Sequence, residues 1–148
     1  MLAAHLGAKK VYAFEPISNS ANVLMENIRL NNMQDKITVV QMALGDKNES
    51  QQMSYNGITE TVKFTKLDSF VSENNIKKID FIKSDVEGFE DRLLIGATEV
   101  LKKFKPVLSL ASYHKGCDKE KLSEIIKSIR EDYNIIVNNF DEEDIYCW

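Results

Sequence analysis

Apolar residues along the chain fall into short runs divided by polar turns, and their spacing changes from run to run. Leu2 to Gly7 reads as the last turns of a helix, with Gly7 as its left-handed stop. Lys10 to Glu15 (KVYAFE) is apolar enough for a strand buried on both faces, as parallel strands are. Pro16 ends it, and Ser18-Asn19-Ser20 offers an N-cap for a helix reaching Asn31, with Ala21, Leu24, Met25 and Ile28 at spacings of three and four. Asn31-Asn32 closes that helix, and Ile37 to Leu44 (ITVVQMAL) is the next strand. Lys47 to Thr65 is polar and weakly alternating, and its Asn56-Gly57 predicts a small hairpin or loop excursion. A short helix carries Leu67, Phe70 and Val71 and stops at Asn74-Asn75.

The next stretch, Ile79 to Glu90 (IDFIKSDVEGFE), predicts a short buried strand, an acidic turn through Asp85, Glu87 and Gly88, and a helix start. That helix runs from Phe89 to Lys103, with Leu93, Leu94, Ala97, Val100, Leu101 and Phe104 on its apolar face. Pro106 opens a strand over Val107 to Ser112, which leads into Tyr113-His114-Lys115. Asp118 to Asp132 is an amphipathic helix, and Ile135 to Phe140 and Ile145 to Trp148 form a closing antiparallel pair about an acidic turn. Strands alternating with helices, then a terminal hairpin, predict an α/β fold with a mostly parallel sheet. The 148 residues fit a single domain.

Composition narrows the partners. The net charge is −4 and no basic run is present, which argues against a nucleic-acid backbone as the main partner. Cys117 and Cys147 have no zinc-ligand spacing and no His cluster beside them, so no metal site is expected and both read as incidental thiols. No apolar run approaches the roughly 18 residues of a membrane span, and the first residues lack the pattern of a secretory signal. The expected location is the cytoplasm, with no membrane partner.

Candidate chemistry gathers at strand ends. Ligands of open α/β sheets bind at the carboxyl ends of strands, and two predicted strands end in acids, at Glu15 and at Asp85. An ionised carboxylate has two acceptor oxygens that match the vicinal hydroxyls of an adenosine ribose, a role that suits Glu15. The glycine-rich turn expected about 20 residues upstream of such an acid would lie before Met1. Asp85 has a simpler alternative as the cap of the following helix, and Glu87 as an acid favoured at that helix's positive end.

Read together, GAKKVYAFEP, the Asn27…Asn31 helix end, Leu67-Asp68, IKSDVEGFE, Ile95-Gly96-Ala97 and SYHK occur in an order that resembles the FkbM-type methyltransferases. The likeness runs over nearly the whole chain, and KSDVEGFE is its most specific part. The resemblance implies a Rossmann-like class I methyltransferase sheet, S-adenosylmethionine as cofactor, and methyl transfer to a hydroxyl of a sugar or other small molecule. It implies that Glu15 holds the cofactor ribose, that Met42 and Ala43 flank the adenine, and that Asp85 faces the methionine end and the acceptor. Glu87 and His114 would line the same edge. His is suited to loosen a hydroxyl proton near neutral pH, so Asp85 and His114 are the candidate catalytic pair.

On the family pattern a first central strand and its glycine-rich loop precede Met1. Without them the Val11 and Ile79 strands would leave a gap, pair directly, or borrow a strand from another copy, and an open edge invites homo-oligomers. A shortened methyltransferase domain is thus the leading expectation. A non-catalytic remnant serving as a binding or assembly module is the alternative, and another nucleotide-using α/β enzyme such as a dehydrogenase is the weakest.

Overall fold

The structure, a computed structural model, describes residues 1–55, 57–114, 118–138 and 143–148. Asn56, Cys117 and the turn expected after Phe140 fall wholly or partly outside the described residues. The chain divides into two compact units, Met1–Ala43 with Asn48–Phe64, and Leu44–Lys47 with Thr65–Trp148.

In the first unit, the short helix α1 (Leu2–His5) is followed by Gly7 at φ 107°, the left-handed stop the sequence predicts. Strand β1 (Val11–Phe14) and helix α2 (Ser18–Leu30) lead to β2 (Ile37–Val40), which pairs parallel with β1 in the register Val11↔Ile37 to Phe14↔Val40. Ala4, Ile28 and Ile37 are buried at the centre of this βαβ layer, with Val11, Ala13, Leu24, Met33 and Val39 packed on them. Met25, expected on the inner face of α2, is instead 46% exposed. It stands one position round the helix from Leu24, outside the narrow stripe that Ala21, Leu24 and Ile28 make. β1 is only half-buried, and Tyr12 faces outward, so the expected burial on both faces is not met.

The predicted strand Ile37 to Leu44 is broken. Met42 donates its N–H back to the Val40 carbonyl at 2.8 Å, a tight turn that separates β2 from β3 (Ala43–Leu44). The polar stretch forms the expected hairpin, β4 (Glu49–Tyr55) and β5 (Ile58–Thr65), antiparallel from Glu49↔Phe64 to Tyr55↔Ile58.

In the second unit, α3 (Leu67–Glu73) precedes β6 (Phe81–Ser84), α4 (Glu90–Gly96), α5 (Thr98–Phe104), β7 (Val107–Ala111), α6 (Lys119–Ile129), β8 (Ile135–Asn138) and β9 (Asp144–Cys147). The sheet order is β6-β7-β9-β8, with β6 and β7 parallel and the last three strands antiparallel. Leu93, Leu94, Leu101, Leu108, Leu110, Leu122, Ile126 and Ile145 are fully or almost fully buried. Tyr133 is buried with them and donates its hydroxyl to the Pro106 carbonyl at 2.9 Å, which satisfies the polar end of the ring.

Two expectations need correction here. Ile79 to Ile82 reads as a buried strand, yet β6 is the edge of its sheet and Phe81 is 50% exposed. The single helix from Phe89 to Lys103 is two helices meeting at Ala97. Thr98 Oγ1 donates to the Ile95 carbonyl at 2.8 Å, and the Asp68 carboxylate accepts the N–H groups of Glu99 and Val100 at 3.0 and 2.8 Å. These bonds offer the backbone an alternative to continuing one helix and give α5 a cap from elsewhere in the chain. No helix among the described residues is long and apolar enough to cross a membrane.

Candidate active site

At the carboxyl end of the β1–β2 pair, Glu15 and Met42 hang from one carbonyl. Glu15 donates its N–H to the Val40 oxygen at 3.1 Å, and Met42 donates to the same oxygen. Glu15, Met42 and Ala43 are all half-buried there, at the end of a parallel pair where ligands of such sheets sit. The Glu15 carboxylate is aimed by the backbone: Oε1 accepts the Ile17 N–H at 2.9 Å. Oε2 has no hydrogen-bond partner among the described residues, and each carboxylate oxygen has a second lone pair. This geometry fits the two vicinal hydroxyls of an adenosine ribose.

The start of α2 differs from the sequence expectation. Ile17 is the N-cap and Ser18 already belongs to the helix, so the Ser18-Asn19-Ser20 cluster does not cap it. Glu60 on β5 takes that part, accepting the Ser18 N–H at 3.2 and 3.3 Å and the Ser18 hydroxyl at 2.5 Å. Two carboxylates, Glu15 and Glu60, thereby meet the positive end of α2.

In the second unit the structure brings Asp85 and His114 together. Asp85 follows the last residue of β6, and His114 lies three residues beyond β7, whose parallel pairing carries both chain ends to one side. His114 Nε2 is 2.9 Å from Asp85 Oδ1, and the Tyr113 hydroxyl donates to that same oxygen at 3.1 Å. Lys83 Nζ is 3.9 Å from Oδ2. On the other side of the ring, Nδ1 is 3.5 Å from Glu87 Oε2. The imidazole is largely buried at 11% exposure, whereas the Glu87 side chain is 88% exposed. Asp85 is no helix cap: the N-cap of α4 is Phe89. Glu87 also precedes that helix, in a left-handed turn with Gly88, at φ 56° and 94°.

Electrostatics follow from this packing. The hydrogen bond with His114, aided by Lys83 and Tyr113, holds the Asp85 carboxyl below its ordinary value of 3.8 against a partial opposing effect of burial. Burial alone would lower the His114 pKa. The bond with Asp85 and the negative charges of Glu90, Glu87 and Asp85 outweigh it and raise the imidazole above 6.5. An ionised Asp85 can only accept, so Nε2 is the donor and the neutral ring keeps its lone pair on Nδ1.

Glu90 is the residue that the sequence reading missed. It is the first residue of α4, completely buried, and its carboxylate accepts the N–H groups of Val86 at 2.7 Å and Gly88 at 3.1 Å. In sequence it looks like any acid in a first helical turn, which is a common, solvated position. The signal available was its place two residues after Gly88, where a long side chain can reach back over the turn. One ligand-type atom each from Asp85, Glu90 and His114 lie within 4.8 Å of one another. Their donors and acceptors are committed to one another and to backbone N–H groups.

The methyltransferase FkbM domain profile matches residues 1–136. Among solved structures, the methyltransferase FkbM from Methylobacillus flagellatus KT superposes with a TM-score of 0.78 at 24% identity, over 99% of this chain and 40% of that one. The METTL16 methyltransferase domain superposes with a TM-score of 0.58 at 17% identity, over 99% of this chain and 53% of that one. No curated protein matches. The chain therefore spans about half or less of the length of these two structures, and at these identities the likeness carries the fold. With the family profile covering most of its length, and a mixed α/β fold similar to class I methyltransferases, this chain belongs to the FkbM methyltransferase family.

Proposed function

We propose that this domain is an S-adenosylmethionine-dependent O-methyltransferase whose acceptor is a hydroxyl on a small molecule or glycan. The observation that carries the reading is the Asp85–His114 hydrogen bond at the end of the parallel β6–β7 pair. In it, a carboxylate fixes an imidazole whose other nitrogen is turned toward the exposed Glu87. The cofactor would be held by Glu15 through its ribose hydroxyls, with Met42 and Ala43 beside the adenine. When bound, it supplies an electrophilic methyl on a sulfonium sulfur.

The residues of the chain do the remaining work. Asp85 accepts Nε2–H and so presents the Nδ1 lone pair outward. An acceptor hydroxyl would take the place of Glu87 at Nδ1 and give up its proton there, leaving its oxygen free to take the methyl group. The imidazolium that results would be stabilised by Asp85 at Nε2–H. Much of the acceleration is alignment, because the methyl is already activated. Tyr113, its ring tilted 47° to that of His114 with centroids 4.2 Å apart, limits how far the imidazole can turn.

The first test is calorimetric titration with S-adenosylhomocysteine, the reaction product. Saturable binding is expected, weakened in Glu15→Ala by about 1.5–3 kcal/mol, the range for hydrogen bonds to a charged group. Absence of binding would overturn the cofactor assignment for this chain and favour a non-catalytic module. Equal binding by wild type and Glu15→Ala would remove Glu15 from the site.

A further inference from the structure

The 86–88 turn is an unfavourable local structure that Glu90 supports. Glu87 has φ 56°, a left-handed conformation unfavourable for a residue with a Cβ, and Gly88 follows at φ 94°. The Val86 and Gly88 N–H groups, on either side of Glu87, both donate to the two oxygens of Glu90. Glu90 is 0% exposed, and a carboxylate is taken out of water at considerable cost unless its partners are well placed. It is also the buried member of the acidic groups around His114, since the Asp85 side chain is 45% exposed and Glu87 88%. Charge–charge attraction is least screened where water is excluded, so the Glu90 charge is felt by the ring more strongly than its distance alone would suggest.

We propose that Glu90 is a positioning residue for the Asp85–His114 pair, clamping the turn that follows Asp85 and setting a buried negative charge against the imidazole. The inference rests on the proposed role of His114 as base and extends it to a residue that touches no reactant. Among the described residues, the charged and titratable groups facing the ring are Asp85 after β6, with Lys83 behind it, Glu87 in the turn, Glu90 on α4, and the Tyr113 hydroxyl on the chain leaving β7. Asp91, the next residue on α4, is paired with Lys121 of α6 at 2.7 Å and so contributes little net charge. The Glu90 charge and the clamp are thus two consequences of one side chain. A stronger base at Nδ1 is what they produce.

The test is an NMR titration of His114 in wild type, Glu90→Gln and Glu87→Gln. In Glu90→Gln the His114 midpoint should move to lower pH, further than in Glu87→Gln, and the Val86 and Gly88 amides should exchange at least about tenfold faster, as a lost hydrogen bond of about 1.4 kcal/mol implies. A folded Glu90→Gln protein with an unmoved His114 midpoint would overturn the proposal, because a purely structural Glu90 would lower stability without touching that midpoint. Should Glu90→Gln not fold, the wild-type Glu90 carboxyl carbon gives the same answer. Its shift should step at the His114 midpoint, and a flat response there would overturn the coupling. None of these readings needs cofactor or acceptor. Failure of the base assignment would show separately, as full methyl transfer by His114→Ala.

Discussion

Asp85 and His114 share one hydrogen bond but respond to pH in opposite directions. The folded-state pKa of Asp85 lies below 3.8, so its contribution to stability is present above that value and lost as pH falls through the folded pKa. The folded-state pKa of His114 lies above 6.5, so its contribution is complete below 6.5 and lost as pH rises through the folded pKa. Both contributions are full between 3.8 and 6.5. Asp85→Asn should therefore lower the thermal midpoint most in that window and less at pH 9, which thermal melts across pH would check. A deficit independent of pH would mean that the ion pair does not exist in solution. At this scale the sequence shows Asp85 and His114 as candidates, since each follows an apolar strand, but it does not show that they touch. That contact depends on β6 and β7 pairing in parallel with Phe81 opposite Val107, a register no local pattern encodes. Glu90 was harder to read for another reason, as an acid in the first turn of a helix is ordinarily solvated and its place two residues after Gly88 is a weak signal.

Elements were legible where local chemistry decides them. The Asn-Asn pairs end α2 and α3 in the same way: Asn31 and Asn74 bond back to the Asn27 and Phe70 carbonyls, and Asn32 and Asn75 take φ 54° and 52°. The break between α4 and α5 was not legible, because part of its cause, the Asp68 carboxylate, lies 31 residues from Glu99 in sequence. Asp68→Ala removes the acceptor of two N–H groups at the start of α5. It should cost about 1–2 kcal/mol, the range for a lost N-cap, by urea unfolding. Asp68→Asn, which keeps an acceptor, should lose less, and an equal loss would argue against capping. Gly96 makes a complementary case: a Cβ there would stand 1.9 Å from the Gly45 carbonyl oxygen, so Gly96→Ala requires the backbone to move. A loss of about 1–3 kcal/mol is expected, as for other overpacked sites, and a neutral substitution would show that the two segments are not in contact.

At the scale of the molecule, family membership and the two strand-end clusters have different standing. Membership rests on a pattern spread over residues 1–136, which is why a handful of short motifs sufficed to suggest it. The acceptor is a matter of loop surfaces, and neither Lys47 to Thr65 nor the segment after His114 carries a motif that chemistry can decode. The proposed function gives each cluster its own part, cofactor binding at Glu15 and proton removal at His114. The most direct measurement is transfer of a labelled methyl from S-adenosylmethionine to a panel of hydroxyl-bearing sugars and small molecules, followed across pH for wild type and His114→Ala. The account predicts a product stable to mild alkali, as a methyl ether is and a methyl ester is not. It also predicts a wild-type rate that rises with pH through a midpoint above 6.5, and a His114→Ala rate lower by about 10²–10⁴-fold with that rise abolished. No transfer by the wild-type chain, or transfer by His114→Ala at the wild-type rate, would contradict it.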